Sequence, residues 1–380
     1  MNSVVSRGGA RHTARKPADV RQPVVFVGGD YAVSAILDEI ANRLRERHIV
    51  VIRGRIEQPP RLTEYAPSEW PDLFSEAAVI VISTRTRATR AMLEAAPRLR
   101  GLVFPTIGTD SVKLTDAMDL GLVIGHGPTP ENFTGMAEST VMLIAALFLD
   151  LPAKERMTRG NLPRPQHRDM RARLVRGRTI GLIGMGRIAR AVVERLQGWG
   201  VSIIANDPHV PQADAPDGVK MVDMPTLLAD SDLISIHVAL ADQGGHVIGA
   251  PELDRMKPGA YLINTSRGAA VDERALIGAL QSGTLGGAAL DVFEREPLAA
   301  DSPLRHMDNV MIISHIVGQV REMHESFVNA AIENITRILR NERPLYVRNP
   351  QVLPVWQQRL ARMDAELHSP SSDTGEADES

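Results

Sequence analysis

The chain has 380 residues, 43% of them hydrophobic and 23% charged, which is room for two globular domains with short tails. A formal net charge of -3 leaves no global field to draw in nucleic acid or an anionic membrane. The absence of cysteine excludes a disulfide framework, a thiolate metal site and a cysteine nucleophile.

Residues 1–22 carry Arg7, Arg11, Arg15, Lys16 and Arg21 among few apolar residues. No apolar segment of signal type follows, so this end is expected to be a disordered basic tail. Short β-branched runs then alternate with helical stretches, the pattern of parallel βαβ units. Buried strands are expected at Val24–Val27, Ile49–Arg53, Val79–Ser83 and Gly101–Phe104. A helix over Ala32–Arg47 would present Val33, Ile36, Leu37, Ile40 and Leu44 on one face. A long apolar helix is expected from Phe133 to Leu149, stopped by Pro152. The longest apolar stretch, 141–151, is too short to span a bilayer, and a cytoplasmic protein is expected. A basic, proline-broken segment follows from Lys154 to Arg178 and reads as a solvated connector.

A second alternating set places strands at Thr179–Ile183, Val201–Ala205, Leu233–His237, Tyr261–Asn264, Ala288–Val292 and Val310–Ile313. This fits a doubly wound dinucleotide-binding sheet. The last helix, Glu322 to Arg340, is expected to cross back onto the first half. The fold class is therefore α/β, with two Rossmann-like doubly wound domains. A cofactor domain at 132–316 is inserted into a smaller flavodoxin-like substrate domain made of 23–131 and 317–349. Residues 350–380, polar and acidic, are expected to form a second disordered tail.

The strand at Thr179 runs into Gly184-Met185-Gly186-Arg187-Ile188-Ala189 and then a helical stretch. Gly184 permits a tight turn, Gly186 lets backbone approach a pyrophosphate, and Ala189 allows close helix packing. The amides of Arg187 and Ile188 open the helix where phosphates bind. The next strand ends at Asp207, placed for an adenosine ribose hydroxyl, although an Asp-Pro turn with Pro208 also accounts for an acid there. An acid at that point repels a 2′-phosphate, so NAD is expected and NADP is disfavoured. His209 is the one nearby group able to soften that preference.

Three later segments put polar residues at predicted strand ends: Asn264-Thr265-Ser266-Arg267-Gly268, Asp291 through Glu296-Pro297, and Ser314-His315-Ile316-Val317-Gly318. With the glycine turn, these runs over residues 78–349 resemble the D-isomer-specific 2-hydroxyacid dehydrogenases, in order and in spacing. The resemblance implies an NAD-dependent enzyme that moves a hydride between nicotinamide and a small 2-hydroxy or 2-oxo acid. An arginine fork suits a substrate carboxylate, which makes Arg267 the anchor. The hydroxyl proton needs a base that titrates near neutrality, and His315 suits it. A carboxylate beside the imidazole would favour its charged form and fix its tautomer. The resemblance gives this tuning role to Glu296, with Glu294 as the alternative in register. It also places Asp291, His237, Thr265 and Gly318 near the cofactor, and the loop Ile107-Gly108-Thr109 on the substrate carboxylate. The helix from Phe133 to Leu149 is implied as a homodimer interface. No metal site is expected.

The match departs from the family at named places. Relatives acting on 3-phosphoglycerate carry an arginine near Ser83, and this chain offers Arg85 two residues on. His237-Val238-Ala239 replaces the usual His-x-Pro, and glycines at 244 and 245 stand where a threonine is usual. Glu296 itself argues against a formate enzyme, which resembles this family but carries glutamine there. An NAD-sensing, corepressor-like protein on the same fold is the alternative function.

Overall fold

The computed structural model describes residues 22–57, 62–238 and 245–368. Most of the expected basic tail, the glycine at 244 and the chain from 369 onward lie outside the described residues.

Apolar runs that are buried on both faces pair as parallel strands, because crossover helices then cover each face. The first sheet contains β1 (Val24–Val27), β2 (Val50–Arg53), β3 (Ala77–Val81), β4 (Gly101–Val103) and β5 (Val123–Gly125), in the order β2-β1-β3-β4-β5. One face is covered by Leu37, Ile40 and Leu44 of the helix Ser34–Glu46 and by Val328, Ile332 and Ile335 of the helix Arg321–Leu339. The other face packs Phe26, Phe74, Met92 and Leu93, with Phe26, Tyr65 and Phe74 meeting edge to face.

The second sheet contains β6 (Thr179–Ile183), β7 (Ser202–Asn206), β8 (Val219–Met221), β9 (Leu233–Ile236), β10 (Ala260–Asn264), β11 (Leu285–Leu290) and β12 (Val310–Ile312). Its order is β12-β11-β10-β9-β6-β7-β8, and every pair is parallel. Reversal of strand order between β6 and β9 is the switch point of a dinucleotide-binding sheet, and ligands bind outside the carboxyl ends of the strands there. The first sheet follows the flavodoxin-like order, so the fold is α/β with two doubly wound units.

The structure corrects the sequence reading at several points. Strands β5 and β8, three residues each, were not anticipated. The long helix is Pro130–Phe148. Asp150 breaks it with a left-handed backbone at φ 50, and Pro152 sits in the first turn of a new helix, Leu151–Arg159. Proline is tolerated there because first-turn amides have no helical partner. Part of the basic connector is thus helical. The solvated tail from residue 350 is also corrected: Leu353–His368 is a helix with Trp356 and Leu360 buried against the first sheet's core. Trp356 Nε1 donates to the Arg100 carbonyl at 2.7 Å, and Arg359 reaches the Leu99 carbonyl at 3.1 Å. Among the described residues no single helix is long and apolar enough to cross a membrane.

Candidate active site

The glycine turn connects β6 to the helix Arg187–Leu196. Gly184 has φ +90, which a side chain rarely adopts, and a Cβ there would sit 2.9 Å from the His237 carbonyl oxygen. At Gly186, by contrast, a Cβ would meet nothing within 4 Å. The turn is closed toward the sheet and open above the helix N-terminus, a cradle that fits the pyrophosphate of a dinucleotide. Arg187 is exposed, and its guanidinium stacks over Phe133 at 5.2 Å. Ile188 and the buried Ala189 follow in the first turn. Asp207 directly follows β7. One of its oxygens accepts from the Met185 amide at 2.8 Å and the other from the His209 amide at 2.9 Å, so it ties the turn to the next strand.

Arg267 leaves the end of β10 in extended conformation. Buried Asn264 fixes that exit: its Nδ2 donates to the Arg267 carbonyl at 2.8 Å, and its Oδ1 accepts from the Ser266 amide at 3.1 Å. Gly268 is required next, because a Cβ there would collide with the Phe293 carbonyl at 1.8 Å. The β10 and β11 loops therefore lie against each other. The guanidinium points to the loop after β4, where Nη2 is 3.0 Å and Nε 3.3 Å from Asp110 Oδ2. Gly108 lies between Arg267 and Thr84, and a Cβ on it would be 2.9 Å from both the Arg267 Nη2 and the Thr84 methyl. Thr109 is buried, and the Ile107 carbonyl contacts His126 Nδ1 at 3.1 Å. Burial lowers the pKa of His126.

Glu296 and His315 meet, Oε2 to Nδ1, at 2.8 Å. Burial pulls the Glu296 carboxyl upward. The hydrogen bond and charge of His315, the Phe293 amide and the Arg85 charge outweigh it and leave the group below its ordinary range. Glu294, the neighbour in register, turns elsewhere: it accepts from the Glu273 amide at 3.2 Å and clusters with His246 and Asp272. His315 sits at φ +60, an unfavourable backbone for a histidine. Asp291 holds it there. The His315 amide donates to the Asp291 carbonyl at 2.7 Å, and Asp291 Oδ1 accepts from the Ile316 and Val317 amides at 2.9 and 3.1 Å. Burial raises the pKa of the Asp291 carboxyl against the pull of those amides.

Of the remaining predicted residues, Thr265 is half-buried after β10, and Gly318 packs so tightly that a Cβ would strike Met136. His237 follows β9, with Nε2 3.0 Å from Ser235 Oγ, and burial pushes its pKa down to about 4. Sequence reasoning missed Asp110 as the partner of Arg267, and missed the Asp291 latch on the His315 loop. Both are contacts between loops far apart in the chain, for which no local spacing exists.

The NAD binding domain of D-isomer specific 2-hydroxyacid dehydrogenases matches residues 141–317. A glyoxylate reductase of Thermofilum pendens is 36% identical over 330 residues, covering 86% of this chain and 95% of its own length. A D-3-phosphoglycerate dehydrogenase of Methanocaldococcus jannaschii is 31% identical over 85% of this chain, which spans only 61% of that longer relative. A solved NAD-dependent formate dehydrogenase from Staphylococcus aureus in complex with NAD superimposes with a TM-score of 0.72 at 26% identity, over 84% of this chain and 96% of that one. Relatives aligned along most of both chains, and a shared two-sheet architecture around one glycine turn, place the chain in the D-isomer specific 2-hydroxyacid dehydrogenases, a family of NAD(P)-binding oxidoreductases.

Proposed function

We propose that this protein uses NAD to interconvert a small D-2-hydroxy acid and its 2-oxo acid. The observation that carries the reading is the 2.8 Å contact of His315 Nδ1 with Glu296, because it leaves Nε2 to hold the proton of a substrate oxygen. Gly184, Gly186 and the amides of Arg187 and Ile188 would hold a dinucleotide, whose nicotinamide would supply or accept the hydride exchanged with C2 of the substrate. In the reducing direction His315 gives its Nε2 proton to the oxygen that was the 2-oxo group, and in the oxidising direction it takes that proton back. Arg267 grips the substrate carboxylate with its planar fork, assisted by the backbone of Ile107, Gly108 and Thr109. Glu296 holds the imidazole in one tautomer through its contact with Nδ1.

Asp207 beside the turn supports NAD over NADP, since a carboxylate repels a 2′-phosphate. A homodimer through the helix Pro130–Phe148 is supported by solvent-exposed Met142 on it and Leu151 just beyond it, at 53% and 57% exposure. The purified protein with NADH should consume at least one of glyoxylate, hydroxypyruvate, pyruvate and phenylpyruvate, measured by absorbance. NADH binding with no consumption of any 2-oxo acid would reject the enzyme in favour of a cofactor-sensing protein. Repeating the assay with NADPH and with Asp207→Ala tests the cofactor: the substitution should narrow the preference for NADH.

A further inference from the structure

Two loops meet at the carboxyl edge of the first sheet: one follows β4, and the other follows β5 and leads into the helix Pro130–Phe148. Backbone bonds join them. The Phe104 amide donates to the Gly125 carbonyl at 2.8 Å and the Gly127 amide to the Thr106 carbonyl at 2.9 Å. They press so closely that a Cβ on Gly127 would lie 2.0 Å from the Pro105 carbonyl oxygen. His126, between the two glycines, is pinned from behind. Its amide donates to the Tyr346 carbonyl at 3.2 Å, and its carbonyl accepts from Nδ2 of the fully buried Asn334 at 3.0 Å. Asn334 Oδ1 in turn accepts from the Tyr346 amide at 3.2 Å.

With its backbone fixed, the half-buried imidazole adds one contact, from Nδ1 to the Ile107 carbonyl oxygen at 3.1 Å. A carbonyl only accepts, so Nδ1 carries the proton. The loops are already closed by the amides of Phe104 and Gly127, and what the imidazole sets is the plane of one peptide unit, Ile107–Gly108. That unit is trans, so the Gly108 N–H points opposite to the Ile107 carbonyl and away from His126. Among the described residues the Gly108 amide finds no acceptor within the protein. Gly108 itself lies against the guanidinium of Arg267, whose Nη2 would be 2.9 Å from a Cβ placed on it. An oriented, unspent N–H beside a guanidinium suits the oxygens of an anion.

We propose that His126 is a positioning residue of this active site: by holding the Ile107 carbonyl it presents the Gly108 amide to the carboxylate that Arg267 grips. The assignment rests on the dehydrogenase reading and adds to it a residue that touches neither substrate nor cofactor. No proton or hydride passes through His126. The carboxylate keeps its charge throughout hydride transfer, so the amide binds it equally in the ground and transition states. What His126 supplies is therefore substrate affinity, expressed in KM and not in kcat.

The experiment sets His126→Leu against His126→Asn. Leucine fills similar space without a donor, whereas the asparagine amide nitrogen is bonded to Cγ as Nδ1 is and can donate from the same place. With NADH and the best 2-oxo acid of the panel, His126→Leu should raise KM for the acid by about 10-fold, the scale of one hydrogen bond to a charged group, and leave kcat and KM for NADH within about 2-fold. His126→Asn should bring KM for the acid back to within about 3-fold of the parent protein. If His126→Leu does not fold, His126→Gln, whose donor stands one bond farther from the backbone, takes its place with the same expected rise. An unchanged KM for the acid, a loss shared equally by the acid and NADH, or no rescue by asparagine overturns the assignment. If no 2-oxo acid is turned over, the dehydrogenase reading fails by itself. Calorimetric titration of the NADH-loaded protein with oxamate, an unreactive 2-oxo acid mimic, then decides the positioning role: binding weakened by about 10-fold in His126→Leu and recovered in His126→Asn retains it, and equal or no binding discards it.

Discussion

Arg267 and Asp110 form an ion pair between the two sheets of the molecule, with both Nη2 and Nε of the guanidinium turned to one carboxylate oxygen, the closer at 3.0 Å. In the proposed reaction a substrate carboxylate takes the same fork, so Asp110 competes with it. The Asp110 side chain is 57% exposed, and a pair of this kind is worth no more than about 1 kcal/mol. Asp110→Asn is therefore expected to lower KM for the 2-oxo acid by about 2- to 5-fold with little change in kcat. Steady-state kinetics decide it. A raised KM would mean that Asp110 instead holds Arg267 in its working position.

The pairing of Glu296 with His315 gives a second, sharper expectation. His315→Ala should lower kcat by about three orders of magnitude, the usual consequence of losing a positioned acid/base group. Glu296→Gln keeps the hydrogen-bonding shape but removes the negative charge, so the rate loss should be milder than that of His315→Ala. The sign for Glu296 itself is that of a carboxyl lowered in the folded protein. Its contribution is fully present above the ordinary carboxyl value of about 4.3 and is lost as pH falls through the lowered folded value. Near-normal turnover in His315→Ala would remove the histidine from the chemistry.

His237 supplies a pH effect on stability rather than on rate. Burial holds its folded pKa near about 4, whereas an unfolded histidine titrates near about 6.5. Between those values the unfolded chain binds the extra proton, so stability falls as pH drops from 6.5 toward 4 and is unaffected above. Melting temperatures measured from pH 4 to 8 should show this decline, and His237→Asn should flatten it. An imidazole NMR signal for His237 that titrates near neutrality would contradict the assignment.

These expectations also mark what was legible in the sequence. Continuous apolar runs disclosed ten strands, because two-sided burial leaves a run that needs no partner to recognise. Gly184 and Gly186 were legible because a tight turn under a helix restricts the residue type, and His315 because a polar residue closely follows a strand end, whereas Glu296 rather than Glu294 came from the family resemblance. Asp110 and the latch from Asp291 to the His315 loop were not. Each acts on a residue elsewhere in the chain, and only the order of strands in the sheets brings the partners together. Composition also misled: the acids after residue 350 outweighed an apolar spacing at Val352, Trp356 and Leu360 that periodicity alone would have read as a helix face.

That helix yields the last prediction. Trp356 is 1% exposed, shares a core with Val79, Val103, Val123 and Ile338, and spends its indole N–H on the Arg100 carbonyl. It therefore closes the first sheet's core instead of decorating its edge, although it lies outside every proposed contact with substrate or cofactor. Trp356→Ala removes a large buried side chain and leaves a buried carbonyl without its donor, a change that costs about 3–5 kcal/mol in comparable cores. Truncation after residue 352 should cost at least as much. Because both sheets contribute to the proposed site, the loss should appear as a lower denaturant midpoint, with KM for NADH little changed in the fraction that remains folded. Urea titration of the variant checks it, and a loss below about 1 kcal/mol would show that the first sheet is complete without its final helix.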